Sequence, residues 1–149
     1  MRIILTSCAF MLFSSFATSV TAQTRLLEID DLFELRTIGA PRVSPDGDWV
    51  AYTVSQLDID ADRSDTDIFM SSLSNPTEDA IRLTTSDRAE TAPRWSPDGR
   101  YLGFLSSRDD EGTEVWLLDR RGGEATRLTN YEGSVSAFSW SPDGAKLVV

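Results

Sequence analysis

Apolar and polar residues alternate in three short segments of the chain, and each segment follows the same four residues. The tetrapeptide Ser-Pro-Asp-Gly occurs at residues 44–47, 96–99 and 141–144. The third and fifth residues after its glycine are apolar each time: Val50 and Tyr52, Leu102 and Phe104, Leu147 and Val149. Alternation with period two is typical of a strand with one buried face. Proline presets φ and glycine accepts the left-handed conformation, so each tetrapeptide predicts the turn of a hairpin.

Two further blocks follow the turns in a fixed order. Asp-Ile-Phe-Met at residues 67–70 returns as Glu-Val-Trp-Leu at 114–117, and Arg-Leu-Thr at 82–84 returns at 127–129. The order of one strand, a turn and three further strands indicates a four-stranded sheet. Successive turns are 52 and 45 residues apart, and this spacing is typical of the blades of a β-propeller. The sequence therefore predicts an all-β fold, an incomplete β-propeller, in preference to a β-sandwich with three similar hairpins.

The repeats also predict how the chain is divided. Two four-stranded blades are expected at about residues 41–84 and 85–129, and a truncated third blade at 130–149, which makes about two and a half blades. Residues 23–40 precede them and are predicted to hold a short N-terminal helix. In this segment Asp31 and Glu34 have capping-box spacing, and three apolar residues would share a helix face: Leu32, Leu35 and Ile38. Such a helix would either cover the edge of the propeller or connect it to a second domain.

The first 22 residues have the composition of a secretory signal peptide. Arg2 precedes an uncharged and mostly apolar stretch, residues 3–20, and cleavage is predicted after Ala22. The alternative is an uncleaved membrane anchor, although this stretch is near the lower length limit for a span. A cleaved signal predicts a periplasmic or secreted protein without stable membrane insertion. The single cysteine, Cys8, lies in this segment, so the predicted mature chain has no disulfide or thiolate metal site.

Composition excludes several kinds of chemistry. The chain has 24 acidic and 14 basic residues and a net charge of −10, which makes nucleic acid a poor partner. It contains no histidine and no Gly-x-Ser-x-Gly elbow, so a Ser-His nucleophile system is absent from its sequence. The acidic run at residues 58–62 opens like a calcium loop but has Arg63 and Phe69 where glycine and glutamate are needed. We therefore predict no catalytic, cofactor-binding or metal residue in this chain, and a solvated hairpin loop at the acidic run.

Aromatic and arginine residues recur at fixed positions of the repeat. Trp95 and Trp140 both precede a tetrapeptide, and Trp116 aligns with Phe69. Recurrence at one register indicates packing between blades rather than a platform for stacking sugars, although a ligand-binding propeller is a third, weaker interpretation. The recurring arginines are predicted to be structural, to cap the blade ends or to pair with acidic neighbours: Arg82 and Arg127.

The chain resembles the prolyl oligopeptidase family of serine peptidases, most closely its acylaminoacyl-peptidase and dipeptidyl-peptidase branches. The resemblance lies in the following segments: residues 31–36 (Asp-Leu-Phe-Glu-Leu-Arg), 41–47 (Pro-Arg-Val-Ser-Pro-Asp-Gly), 49–54 (Trp-Val-Ala-Tyr-Thr-Val), 66–69 and 93–99. It implies a propeller followed by an α/β-hydrolase domain, whose Ser-Asp-His triad hydrolyses short peptides through an acyl-enzyme. None of the triad residues has a counterpart in this chain.

Two functions are therefore predicted. The first is the non-catalytic N-terminal propeller part of an exported serine peptidase, with peptide substrates that bind through the hydrolase domain and no cofactor. The alternative is a TolB-like periplasmic β-propeller that acts as a protein-binding module. The first is favoured because the first blade turn begins 21 residues after the predicted cleavage site, which leaves no room for the separate domain that precedes a TolB propeller.

Overall fold

The computed structural model describes residues 26, 28–59, 61–109 and 111–149; the predicted signal peptide, residues 1–22, lies outside them. The described residues form one short 3₁₀ turn and ten strands: Ile29–Leu32 (3₁₀), Arg36–Val43 (β1), Trp49–Asp58 (β2), Arg63–Ser72 (β3), Ile81–Arg82 (β4), Glu90–Trp95 (β5), Tyr101–Ser106 (β6), Glu114–Asp119 (β7), Thr126–Arg127 (β8), Ser139–Trp140 (β9) and Leu147–Val148 (β10). Among these residues no helix has the length and apolar character needed to cross a membrane.

The strands form three separate antiparallel sheets. The first has the order β1-β2-β3-β4, the second β5-β6-β7-β8, and the third pairs β9 with β10. Four antiparallel strands in chain order make a propeller blade. The predicted fold, two four-stranded blades and the first half of a third, is therefore confirmed.

The N-terminal helix is shorter than predicted. Only Ile29–Leu32 forms a 3₁₀ turn, and strand β1 begins at Arg36, before the predicted start of the first blade at residue 41. Thr37 and Ile38 pair with Ser55 and Val54 of β2. Both residues are β-branched and favour a strand, and a helix of two turns is marginal without strong packing. The ladder offered by β2 therefore overrides the capping-box signal.

Each blade turn is closed by its own serine and aspartate. In the first turn Ser44 Oγ donates to Asp46 Oδ1 at 2.5 Å and accepts from the Trp49 N–H at 3.0 Å. The second and third turns repeat both bonds, from Ser96 and Ser141. The turn glycines have φ values of +79°, +68° and +69°, in the left-handed region where a side chain is disfavoured. The same local chemistry thus builds all three hairpins.

The first strand of each complete blade contains a β-bulge at an alanine. The register of β1 against β2 shifts between Gly39 and Arg42, and that of β5 against β6 shifts between Thr91 and Arg94. At the centre of each shift an alanine has positive φ, +48° for Ala40 and +51° for Ala92. Bulges bend a strand and re-aim its side chains. The inner strands of the two blades are therefore distorted in the same way.

Apolar side chains fill the space between neighbouring sheets. One core cluster joins the first and second sheets: Ala51, Ile68, Leu102, Phe104, Trp116 and Leu118. Another joins the second sheet to the segment that leads into the third: Leu105, Val115, Val135 and Phe138. Successive turns also touch, because a Cβ on Gly99 would lie 3.4 Å from Pro45 and one on Gly144 would lie 3.5 Å from Pro97. Neighbouring blades thus pack directly against each other along the chain.

Candidate functional site

The recurring arginines bind acidic residues at the outer end of each blade. Arg82 donates to Asp67 Oδ2 at 2.5 Å and to the Thr84 carbonyl at 3.0 Å. In the second blade Arg127 donates to Glu114 Oε1 at 3.2 Å and to the Thr129 carbonyl at 2.8 Å. The two threonine hydroxyls accept backbone N–H groups of β3 and β7. These contacts join the third and fourth strands, so both arginines have a structural role.

The two acids in this arrangement differ in their electrostatics. Burial raises the pKa of Asp67 above its ordinary value despite the bond from Arg82. Burial also acts to raise the pKa of Glu114, but bonds from the Thr129 hydroxyl, the Tyr131 N–H and Arg127 outweigh it and lower that pKa. The longer glutamate side chain reaches more donors than the aspartate does. Glu114 is therefore the better-stabilised anion.

Tryptophans connect the blades through their ring nitrogens. Trp95 Nε1 donates to the Arg42 carbonyl of β1 at 2.9 Å, and Trp140 Nε1 donates to the Arg94 carbonyl of β5 at 3.4 Å. Trp116 lies in the core between the first two sheets and donates to the Ser106 carbonyl at 3.2 Å. The recurring tryptophans thus pack between blades and do not form an exposed stacking platform.

A buried ion pair between the first two sheets is the strongest candidate for a functional site. Glu90, the first residue of β5, is completely buried and binds Arg108, whose side chain is 19% exposed. The Arg108 guanidinium lies 4.7 Å from the ring centre of Trp116 and 5.4 Å from that of Phe104. Cations are attracted to aromatic faces, more strongly when water is excluded. Aromatic rings and one carboxylate thus hold this guanidinium.

Polar atoms around the pair are left without partners among the described residues. Glu90 Oε2, Arg108 Nε and the hydroxyl of Ser106, which pairs with Glu90 in the strand ladder, make no hydrogen bond there. Buried polar atoms without partners are rare in folded proteins. The cluster therefore has unused capacity to bind a polar group or water.

A polar cavity adjoins the pair on the arginine side. It has a volume of about 330 Å³, and its lining includes Arg108, Thr84, Ser86 and Glu124. Burial lowers the pKa of Arg108, and the nearby charges of Glu124 and Asp109 oppose that shift. An arginine stays protonated at neutral pH even so. The cavity can therefore bind or position a polar group, but this guanidinium does not exchange a proton.

The sequence did not reveal this pair. Glu90 occupies the repeat position of Ile38 in the first blade and Val135 in the third, and Arg108 occupies that of Gln56. Glu90 is therefore a charged residue at a position that is apolar in the other repeats, and this difference could have identified it from the sequence. Its partner lies 18 residues away, outside the repeated sequence blocks.

The acidic run, Ser134 and Lys146 lie in turns, in loops or at a strand end. The acidic run lies at the tip of the β2–β3 hairpin, where the Ala61 N–H donates to Asp58 at 3.1 Å. Across the described residues no group of three or more His, Cys, Asp or Glu could hold a metal ion. Ser134, next to Gly133, accepts from the Thr113 N–H. Lys146 donates its backbone N–H to Ser141. None of these residues is arranged for nucleophilic catalysis.

The lowered pKa values of the turn aspartates lead us to expect a loss of stability in acid. Hydrogen bonds from Ser44 and Arg120 lower the pKa of Asp46 to about 2, and bonds from the turn serines lower the pKa of Asp98 and Asp143. A carboxylate with a lowered pKa stabilises the fold above its unfolded pKa, and this stabilisation is lost as the pH falls toward the folded value. We expect the urea midpoint to fall between about pH 4 and pH 2. Asp46→Asn should flatten this dependence; an unchanged slope in Asp46→Asn would contradict the assignment.

Comparison with known sequences places the chain in a family. The PD40 family, described as the TolB beta propeller domain, matches residues 20–149. The uncharacterized peptidase YuxL of Bacillus subtilis is 34% identical over 101 residues, which are 68% of this chain and 15% of that protein. Dipeptidyl-peptidase 5 of Porphyromonas endodontalis is 29% identical over 101 residues, 68% of this chain and 14% of that protein. The chain thus spans about one seventh of the length of these relatives.

Solved structures show the same fold. An acylaminoacyl peptidase of Pyrococcus horikoshii has a TM-score of 0.63 at 18% identity, over 77% of this chain and 17% of that one. The β-propeller domain of the trilobed protease of Pyrococcus furiosus has a TM-score of 0.58 at 22% identity, over 75% of this chain and 32% of that one. The peptidase relatives and these propellers confirm the resemblance to the N-terminal propeller of a prolyl oligopeptidase-family peptidase. By its sequence and its blades, this chain belongs to the PD40 family of TolB beta propeller domains.

Proposed function

We propose that this chain forms the first blades of the propeller of an exported serine peptidase that hydrolyses short peptides. The observation that carries the proposal is the combination of its blade architecture with two curated relatives that are peptidases. The chain contributes no catalytic residue: it has no histidine, and the acyl-enzyme chemistry belongs to a triad in a C-terminal hydrolase domain.

The role of the blades in this proposal is to restrict access. Neighbouring sheets pack through a close apolar core, so a completed ring of such blades is a rigid wall around a central channel. Short or unfolded peptides can pass along such a channel, whereas a folded domain of even 100 residues, with a radius of gyration of about 13 Å, cannot. The propeller thus selects substrates by size before any chemistry occurs.

Activity-based labelling tests this proposal. A fluorophosphonate probe reacts with activated serines, so the product of the full reading frame should be labelled and should hydrolyse short peptides. The 149-residue chain should show neither labelling nor turnover. Turnover by the chain itself, or a full-length product that is neither labelled nor active, would contradict the proposal.

A second function is favoured by the family assignment, since the matching family is that of TolB beta propeller domains. In this alternative the propeller binds a protein of the cell envelope and has no hydrolase domain. The reading frame beyond Val149 distinguishes the two: a Gly-x-Ser-x-Gly elbow followed by aspartate and histidine supports the peptidase, and further blades followed by a stop support the binding module.

Export is tested independently of activity. N-terminal sequencing of the mature protein from a periplasmic or culture fraction should begin at Gln23 if the signal is cleaved after Ala22. Recovery of the intact N-terminus in the membrane fraction would support the uncleaved anchor instead.

A further inference from the structure

Two arginines occupy the same place on the inner strands of neighbouring blades. Strands β1 and β5 are the first strands of their sheets and lie in contact with each other. Arg42 of β1 and Arg94 of β5 each follow the proline after a bulged alanine. The first strands of propeller blades surround the central channel. The two arginines therefore occupy equivalent positions one blade apart, on the strands nearest the channel.

Their backbone positions are fixed by the contacts between blades. The Arg42 carbonyl accepts Trp95 Nε1 at 2.9 Å, and the Arg94 carbonyl accepts Trp140 Nε1 at 3.4 Å. Each guanidinium donates through one nitrogen to the carbonyl of the preceding proline, at 2.9 Å for Arg42 and 3.1 Å for Arg94. A guanidinium has five N–H donors in a rigid fork, so most of the donors of each arginine are not used by these bonds.

Neither arginine is neutralised within the described part of the chain. Seven other arginines there form ion pairs with carboxylates: Arg63, Arg82, Arg100, Arg108, Arg120, Arg121 and Arg127. Arg42 and Arg94 have no carboxylate within ion-pair distance among the described residues, although acids outnumber bases 24 to 14 in the sequence.

The two positive charges also act on each other. Burial lowers the pKa of Arg94, and the charge of Arg42 lowers it further. Like charges held together in a partly buried place destabilise a fold unless an anion compensates them. Two half-buried guanidinium groups that act on each other, without a carboxylate partner among the described residues, thus present a site suited to an anionic ligand.

We propose that Arg42 and Arg94 form a carboxylate-binding ladder on the channel wall, which recognises an acidic group of a peptide substrate. The fork of a guanidinium matches a carboxylate through two parallel hydrogen bonds. The proposal rests on the proposed peptidase function, because a peptide must enter the channel to meet the ladder. The acidic group is either the C-terminal carboxylate or the side chain of aspartate or glutamate, which share this chemistry.

The first experiment measures binding to the chain itself and does not depend on peptidase activity. The probes are acetyl-Ala-Ala-Ala with a free C-terminus, acetyl-Ala-Ala-Asp-amide, and the neutral acetyl-Ala-Ala-Asn-amide. The readout is the Nε–H resonance of each arginine in NMR spectra during titration. We expect one or both carboxylate probes to shift the resonances of Arg42 and Arg94, and the neutral probe to leave them unchanged. Whichever carboxylate binds identifies the source of the anion.

Substitutions assign the effect to the ladder. Arg42→Gln and Arg94→Gln should each weaken carboxylate binding about tenfold or more, since a charge-assisted hydrogen bond is lost. The matched control is Arg121→Gln, because Arg121 is exposed and pairs with Asp119. This variant should bind the carboxylate probes as the parent chain does. The variant with both Arg42→Lys and Arg94→Lys keeps the charges but loses the forks, so it should bind more weakly than the parent and better than either glutamine variant. Equal binding of all three probes, or no binding by a folded parent chain, would overturn the ladder.

The second experiment measures catalysis by the full-length peptidase. Arg42→Gln and Arg94→Gln should lower kcat/KM about tenfold for the peptide with the recognised carboxylate and leave its amide or asparagine counterpart unchanged. An equal loss for both peptides would overturn the ladder, because it indicates a structural role. If no peptide is hydrolysed at all, the peptidase function fails, and the binding experiment then decides alone whether the ladder exists.

Discussion

Replacement of Glu90 by alanine is expected to destabilise the chain by about 3–5 kcal/mol, the usual loss when one partner of a buried ion pair is removed. Arg108 would keep its place over Trp116 and Phe104 but would lose its counter-charge inside the interface. Urea unfolding of the purified chain, followed by tryptophan fluorescence, measures this change.

The matched control removes both charges together. The repeat position of Glu90 carries Val135, which is buried, in the third blade, so a buried apolar residue fits this position of the repeat. A chain with both Glu90→Val and Arg108→Met should be about as stable as the parent, or more stable, because buried ion pairs often contribute no more than well-packed apolar residues. If this double variant loses as much stability as Glu90→Ala, the loss does not come from an uncompensated charge.

Gly112→Ala is expected to cost about 3 kcal/mol or more, through backbone strain combined with overpacking. Gly112 has φ of +118°, and a Cβ on it would lie only 2.2 Å from the Gly133 carbonyl oxygen. That carbonyl belongs to the segment that leads to the third sheet, so the clash would push this segment away from the second blade. The urea midpoint and the hydrogen exchange of the Val135 N–H, which donates to the Thr113 carbonyl at 2.7 Å, measure the two effects.

Gly122 provides a control with the same backbone geometry. It also has φ of +118°, but a Cβ there would meet no heavy atom within 4 Å. Gly122→Ala should therefore cost only the backbone strain, about 1–3 kcal/mol, and leave the Val135 N–H protected. Equal losses in the two variants would show that the approach of Gly112 to Gly133 contributes nothing.

The blades could be predicted because the turns are self-contained. Ser44, Asp46 and Gly47 close their hairpin with their own atoms, so four residues of sequence suffice to recognise it. The alternating residues after each turn then fix which side of the strand faces the neighbouring blade. Hairpin turns that are closed by their own residues and recur at a regular spacing can therefore be predicted from the sequence alone.

The predicted length of the N-terminal helix was wrong for a related reason. The capping signal at Asp31 and Glu34 is local, but the competing partner of this segment is β2, whose Val54 pairs with Ile38. Pairing across 16 residues is not visible in a short window, and tertiary pairing overrides a weak helix signal. The bond of Glu90 with Arg108 and that of the Arg42 carbonyl with Trp95 are hidden in the same way, since each joins residues from different strands or blades.

The hairpin of β2 and β3 in the first blade is longer than the equivalent hairpin of the second blade. Its ladder has ten residue pairs, from Trp49–Ser72 to Asp58–Arg63, whereas that of β6 and β7 has six. The four additional pairs extend it by about 13 Å at the end opposite the Ser-Pro-Asp-Gly turn. The longer ladder therefore distinguishes this end of the first blade from the same end of the second.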